Sequence, residues 1–102
     1  RNTLYRETNE GLIENVYILK ILNMDKVQHQ YELTVSGIPG LTLHKDMATI
    51  VVASGGVQEL PVRLRADEAE LEARSSDVVF SLVAIDNDKL SVTEDARFLG
   101  PQ

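Results

Sequence analysis

His29-Gln30-Tyr31-Glu32-Leu33-Thr34-Val35-Ser36 is the stretch on which the fold turns. Tyr31, Leu33 and Val35 alternate with Gln30, Glu32, Thr34 and Ser36, the period of two that a strand with one buried face requires. Gly37-Ile38-Pro39-Gly40 ends the pattern, because glycine reaches unusual φ values and proline has no N–H for a ladder. Upstream, residues 12–23 carry apolar side chains on both parities, Tyr17, Leu19 and Ile21 on one and Val16, Ile18 and Leu22 on the other, broken by Lys20. Its β-branched content favours a strand over a helix, and two apolar faces predict a central strand with its second face partly covered. Residues 5–8 read as a short edge strand, Asn9-Glu10-Gly11 as a turn, and Met24-Asp25-Lys26-Val27 as a hairpin connection.

Downstream, residues 41–43 resume as a short strand, and 49–53 form a β-branched run closed by Gly55-Gly56. Residues 60–66 place Val62, Leu64 and Ala66 inward and Arg63 and Arg65 outward, with Pro61 at an edge or a strand start. The acidic segment 67–72 reads as a loop or one helical turn. Residues 78–85 form a strong strand with Phe80, Leu82 and Ala84 on the core side. Asp86-Asn87-Asp88 is a turn, and 91–98 is the last strand. About seven strands with regularly spaced turns predict an all-β, immunoglobulin-like β-sandwich, with a small barrel as the alternative. The disulfide and tryptophan of antibody domains are absent, since the chain has no Cys and no Trp.

At 102 residues the chain reads as one domain, 1–102. A hydrophobic content of 43% with 25% charged residues is that of a folded domain and excludes disorder. Without cysteine there is no thiolate catalysis and no cysteine-ligated zinc or iron–sulfur cluster in this segment. A net charge of -6 argues against nucleic acid as a partner. The longest apolar run, near residues 78–85, is strand length, far short of the roughly 20 residues a membrane helix needs. The chain begins Arg1-Asn2-Thr3-Leu4 without methionine, as expected of a piece of a longer protein.

Few residues suggest chemistry. Met24 with His29, and His44 with Met47, are soft-ligand pairs of the kind that suit copper(I), against the plainer reading of structural histidines and gap-filling methionines. Asp86-Asn87-Asp88 with Glu94 and Asp95 lacks the frame of a calcium loop and is explained by turn formation. No nucleophile elbow and no phosphate-cradling glycine loop occurs, and the arginines are scattered. No catalytic or cofactor-binding residue is expected, and the domain reads as not an enzyme by itself.

Four phrases together resemble the FixG/CcoG family: Arg1-Asn2-Thr3-Leu4-Tyr5-Arg6-Glu7, residues 11–21 followed by Asn23, Leu60-Pro61-Val62-Arg63-Leu64-Arg65-Ala66, and Ala96-Arg97-Phe98-Leu99-Gly100-Pro101. The resemblance implies the C-terminal immunoglobulin-like domain of an accessory protein for assembly of the cbb3-type cytochrome c oxidase. It implies a bacterial inner-membrane parent with this domain facing the periplasm, Leu4-Tyr5 near the tether, and [4Fe–4S] clusters in the missing part. The implied partners are other domains of the same protein, oxidase subunits or copper-delivery proteins. The expected role is non-catalytic interaction or scaffolding. A periplasmic copper-binding module and a carbohydrate-binding or adhesion sandwich are the alternatives.

Overall fold

In the computed structural model, which describes residues 5–101, the chain forms two antiparallel four-stranded sheets packed face to face. The opening Arg1 to Leu4 and the final Gln102 lie outside the described residues. Eight strands are present among the described residues, where about seven were expected: β1 (Arg6–Glu7), β2 (Leu12–Leu22), β3 (His29–Ser36), β4 (Thr42–Lys45), β5 (Ile50–Val52), β6 (Val57–Asp67), β7 (Ser75–Ala84) and β8 (Asn87–Leu99). One sheet has the order β1-β2-β6-β4 and the other β5-β3-β7-β8. The acidic segment after β6 makes a single 3₁₀ turn, Glu68–Glu70, with the Ala69 N–H donating to the Asp67 carboxylate that caps it.

The two sheets bury one alternate set of side chains from each strand. Ile13, Ile21, Leu60, Val62, Leu64 and Ala66 come from the first sheet. Tyr31, Leu33, Ile50, Val52, Val78, Phe80, Ala84 and Phe98 come from the second. The inward parities expected for β3 and β6 hold, and on β7 Phe80 and Ala84 are buried while Leu82 is partly so.

Two expectations change and a third, for Pro61, narrows to one of its alternatives. Residues 24–27 do not form a hairpin, because β2 and β3 lie in different sheets; the segment carries the chain across the end of the sandwich. Pro61 sits inside β6 and meets the first of its two expected places, an edge. Pairing with β4 ends at Val62, so on that side β6 is already an edge at Pro61 and a missing N–H breaks no ladder there. The turn at residues 86–88 shifts as well. Ile85 and Asp86 form the tip, Asn87 already pairs with Ala84, and the register then jumps so that Val83 faces Ser91. The residues in between bulge from the ladder, as happens where a strand bends.

β2 also differs from a covered central strand. β1 pairs only with Ile13 and Glu14, so among the described residues the rest of β2 has a partner on one side alone. Its outward side chains Val16, Ile18 and Leu22 are exposed, Ile18 by 68%.

Candidate functional site

β2 ends, β3 begins, β5 turns into β6 and β7 turns into β8 at the same end of the sandwich, and buried polar side chains bind these connections together. Asn23, buried just past β2, donates from Nδ2 to the carbonyls of Val27 at 2.8 Å and Val52 at 2.9 Å, and accepts from the Asp25 N–H. Its backbone exchanges bonds with Gly55 and Gly56, and Ser54 Oγ donates to the Asp25 carbonyl. A polar side chain in this position is tolerated because each of its groups is satisfied.

His29 is the centre of this end. Its side chain is 4% exposed, and it lies between two carboxylates from different connections. Nε2 is 2.7 Å from Asp25 Oδ2, and Nδ1 is 3.0 Å from Asp86 Oδ1. Ionised carboxylates only accept, so the protonated ring is the form that can donate to both. The bond to Asp25, then that to Asp86, hold the His29 pKa above its ordinary value. Reciprocally, the bond from His29 and the Lys26 N–H hold the Asp25 pKa below its ordinary value. With both nitrogens engaged by carboxylates, His29 must release Asp25 or Asp86 before it can bind anything else. It acts as a clamp between the β2–β3 connection and the β7–β8 turn.

The four copper candidates fall in separate surroundings. Met24 is 86% exposed beside this clamp. His44 is on β4, opposite Arg63, with Nε2 3.0 Å from Thr42 Oγ1, and Met47 is exposed on the β4–β5 connection. Leu22 and His44 face Val57 and Arg63, six positions apart along β6, a distance of roughly 20 Å at the rise of a strand. Met24 lies beyond Leu22, so the two pairs do not meet. No group of three or more His, Asp or Glu able to hold a metal ion occurs among the described residues. Asp86, the first acid of the Asp86-Asn87-Asp88 stretch, is turned onto His29.

Three of the arginines that look scattered in sequence, Arg6, Arg63 and Arg65, converge in space. On the outer face of the first sheet, Arg6, Glu14 and Arg65 lie in one cross-strand row. Glu14 is buried beneath them, with Oε1 2.5 Å from Arg6 Nε and Oε2 2.8 Å from Arg65 Nε, and Arg63 is at 3.9 Å. Burial raises the Glu14 pKa, but the bonds to Arg65 and Arg6 outweigh it and the net shift is downward. The outward parity of Arg63 and Arg65 was legible; the buried outward carboxylate of Glu14 was not, because the stems of neighbouring arginines cover it.

Between the free side of β2 and β8 runs an apolar groove of about 520 Å³, lined by Leu19, Ile21, Leu33, Phe80, Leu82 and Val92. A second hollow of about 470 Å³ adjoins it at the His29 end, between Met24, Leu90 and Lys89. Toward the other end the groove is closed by Tyr17, whose hydroxyl donates to the Arg97 carbonyl at 2.8 Å and whose ring meets Phe80 edge-on. Burial pushes the Tyr17 hydroxyl up to about 12.

The sequence is similar along residues 1–101 to the family described as "IG-like fold at C-terminal of FixG, putative oxidoreductase". The structure resembles the crystal structure of a FixG-related protein from Vibrio parahaemolyticus, with a TM-score of 0.81 and 29% sequence identity over 91% of this chain and 84% of that one. Among curated proteins none matches the chain in sequence.

Proposed function

Because the chain belongs to the family of immunoglobulin-like domains found at the C-terminus of FixG, we propose that it is the non-catalytic interaction domain of a membrane-bound accessory protein for assembly of the cbb3-type cytochrome c oxidase. In this reading the parent lies in the bacterial inner membrane, this domain faces the periplasm, and the [4Fe–4S] clusters and redox chemistry reside elsewhere in the parent. The observation that carries it is the state of the polar groups. His29 and Glu14, which are buried, are both fully occupied by oppositely charged partners, and no buried side-chain polar atom among the described residues lacks a bond. A catalytic site needs groups held ready for substrate. The exposed apolar side chains and free strand edges instead suit the binding of another macromolecule.

The alternatives demand more of the fold. Copper binding through His29 requires it to release Asp25 or Asp86. An adhesion sandwich needs exposed aromatic platforms, whereas Tyr5, Tyr17, Tyr31, Phe80 and Phe98 all belong to or pack on the core. The test is co-purification. Full-length protein solubilised from membranes is expected to retain oxidase subunits or copper-delivery proteins, and the same protein without this domain to lose them. Equal retention by both forms would refute the interaction role.

A further inference from the structure

The outer face of the first sheet is ordered along its length. Its first row is Arg6, Glu14, Arg65 and Thr42, one residue from each strand, and the next is Val16, Arg63 and His44. Ile18 and Pro61 follow. Rows on one face are two residues apart, about 7 Å along a strand. An arginine cluster therefore passes within two rows into an apolar stripe in which Val16, Ile18 and Pro61 are all exposed. The cluster is fixed from below. The Glu14 side chain, 1% exposed, accepts from Arg6 Nε on one oxygen and from Arg65 Nε on the other. A guanidinium has five N–H donors, so the terminal Nη groups of both arginines remain, and they have no acceptor among the described residues. Arg63 Nη2 lies 3.3 Å from the carboxylate of Asp46, which is itself well exposed.

In these two rows three guanidinium groups stand over one buried carboxylate, with Asp46 at the margin. Asp67, beyond the first row, is taken up by the 3₁₀ turn. The patch is therefore positive on a chain whose net charge is -6. Charge complementarity selects its occupant. Guanidinium groups recognise carboxylates through paired N–H donors, and opposite charge steers the encounter and fixes its register. The exposed Val16 and Ile18 alongside call for apolar cover, the usual neighbour of arginine in protein interfaces. A second copy of this chain fits less well. On the outside of the second sheet Asp77 is already paired with Arg97 at 2.9 Å, and joining unlike faces of identical chains gives a ring or an open filament rather than a closed pair.

We propose that Arg6, Arg63 and Arg65, with Val16 and Ile18 beside them, form the docking surface for a segment of a partner protein that carries carboxylates next to apolar side chains. This gives the interaction role proposed above a surface and a partner chemistry, and rests on that role. Glu14 is the positioning residue: it holds two of the guanidinium groups in place without itself meeting the partner.

The probe is a synthetic peptide in which a run of glutamates is followed by leucines, titrated into the 102-residue chain while arginine Nε–H and methyl resonances are followed. Shifts are expected at Arg6, Arg63, Arg65, Val16 and Ile18, and the affinity is expected to fall as ionic strength rises. The same peptide with glutamines for glutamates is expected to leave these resonances in place. Arg63→Gln and Ile18→Asp, neither of which removes a hydrogen bond to Glu14, are each expected to weaken binding by about tenfold. Arg97→Gln takes the same charge from the outside of the second sheet and is expected to change nothing. Amide spectra verify that each variant is folded. Silent arginines, indifference to salt, an equal response to the glutamine peptide or an equal loss from Arg97→Gln overturns the proposal. Self-association that shifts the same resonances also overturns it, because a second copy is then the occupant. Co-purification of the full-length protein separates the two readings. Partners lost on deleting the domain but kept by the Arg63→Gln, Ile18→Asp double variant defeat this surface alone, and partners kept after deletion defeat the interaction role itself.

Discussion

Asn15 and Leu99, 84 positions apart in sequence, join the two sheets by a reciprocal pair of hydrogen bonds: Asn15 Nδ2 donates to the Leu99 carbonyl and the Leu99 N–H donates to Asn15 Oδ1, each at 2.8 Å. An inward, buried asparagine here does the work of a strand partner. It satisfies the edge of β8 where β2 would otherwise leave a gap between the sheets. Two residues along, Tyr17 repeats the connection to Arg97, and beyond it the groove opens.

Asn15→Ala is therefore expected to lower unfolding stability by about 2–4 kcal/mol, since two bonds vanish and the Leu99 backbone groups stay partly buried. Asn15→Leu keeps the volume without the bonds and is expected to fall in the same range. Urea denaturation measures both. A loss for Leu well below that for Ala would assign the effect to packing instead.

Gly37→Ala is expected to destabilise by roughly 2–4 kcal/mol on the same assay. Gly37 has φ of +128°, and an added Cβ would stand 2.5 Å from the Asp77 carbonyl oxygen and 2.9 Å from Val78 Cα. The obstacle is backbone of β7, which has no rotamer with which to retreat. Gly40→Ala, at φ of +76° with nothing within 4 Å, is expected to cost about 1 kcal/mol from backbone strain alone.

Stability against pH has two limbs. The His29 pKa is raised in the folded state, so its contribution is fully present below the ordinary value of 6.5 and is lost as pH rises through the folded value. The Glu14 and Asp25 pKa values are lowered, so theirs is present above 4.5 and 3.8 and is lost as pH falls through the folded values. Stability is expected to peak between about pH 5 and 6.5. His29→Gln is expected to flatten the alkaline limb while leaving the Glu14 part of the acid limb. Denaturation midpoints across this range check both, and an unchanged alkaline limb in the variant would place its origin elsewhere.

The strands were legible where one face is buried and the other wet. The period of two in β3 and β6 gave their inward residues directly, because core packing forces alternation. β2 misled because two apolar faces ordinarily mean two covered faces, and here the second is bare surface at Val16, Ile18 and Leu22. The 24–27 connection misled because length alone does not tell a hairpin from a crossing between sheets. His29 was identifiable as a residue of interest but not as a clamp: its partners Asp25 and Asp86 come from two different connections, and Asp86 is 57 positions away. Likewise the Arg6–Glu14–Arg65 row depends on strand register, which no local motif encodes.

The decisive experiment is made in cells on the full-length protein lacking this domain, scoring two properties together: the iron–sulfur clusters proposed for the parent, and the amount of assembled cbb3-type oxidase. The account predicts that the clusters and their redox response persist while assembled oxidase falls. Normal oxidase assembly without the domain would contradict it, and so would loss of the redox response in a parent whose clusters remain loaded.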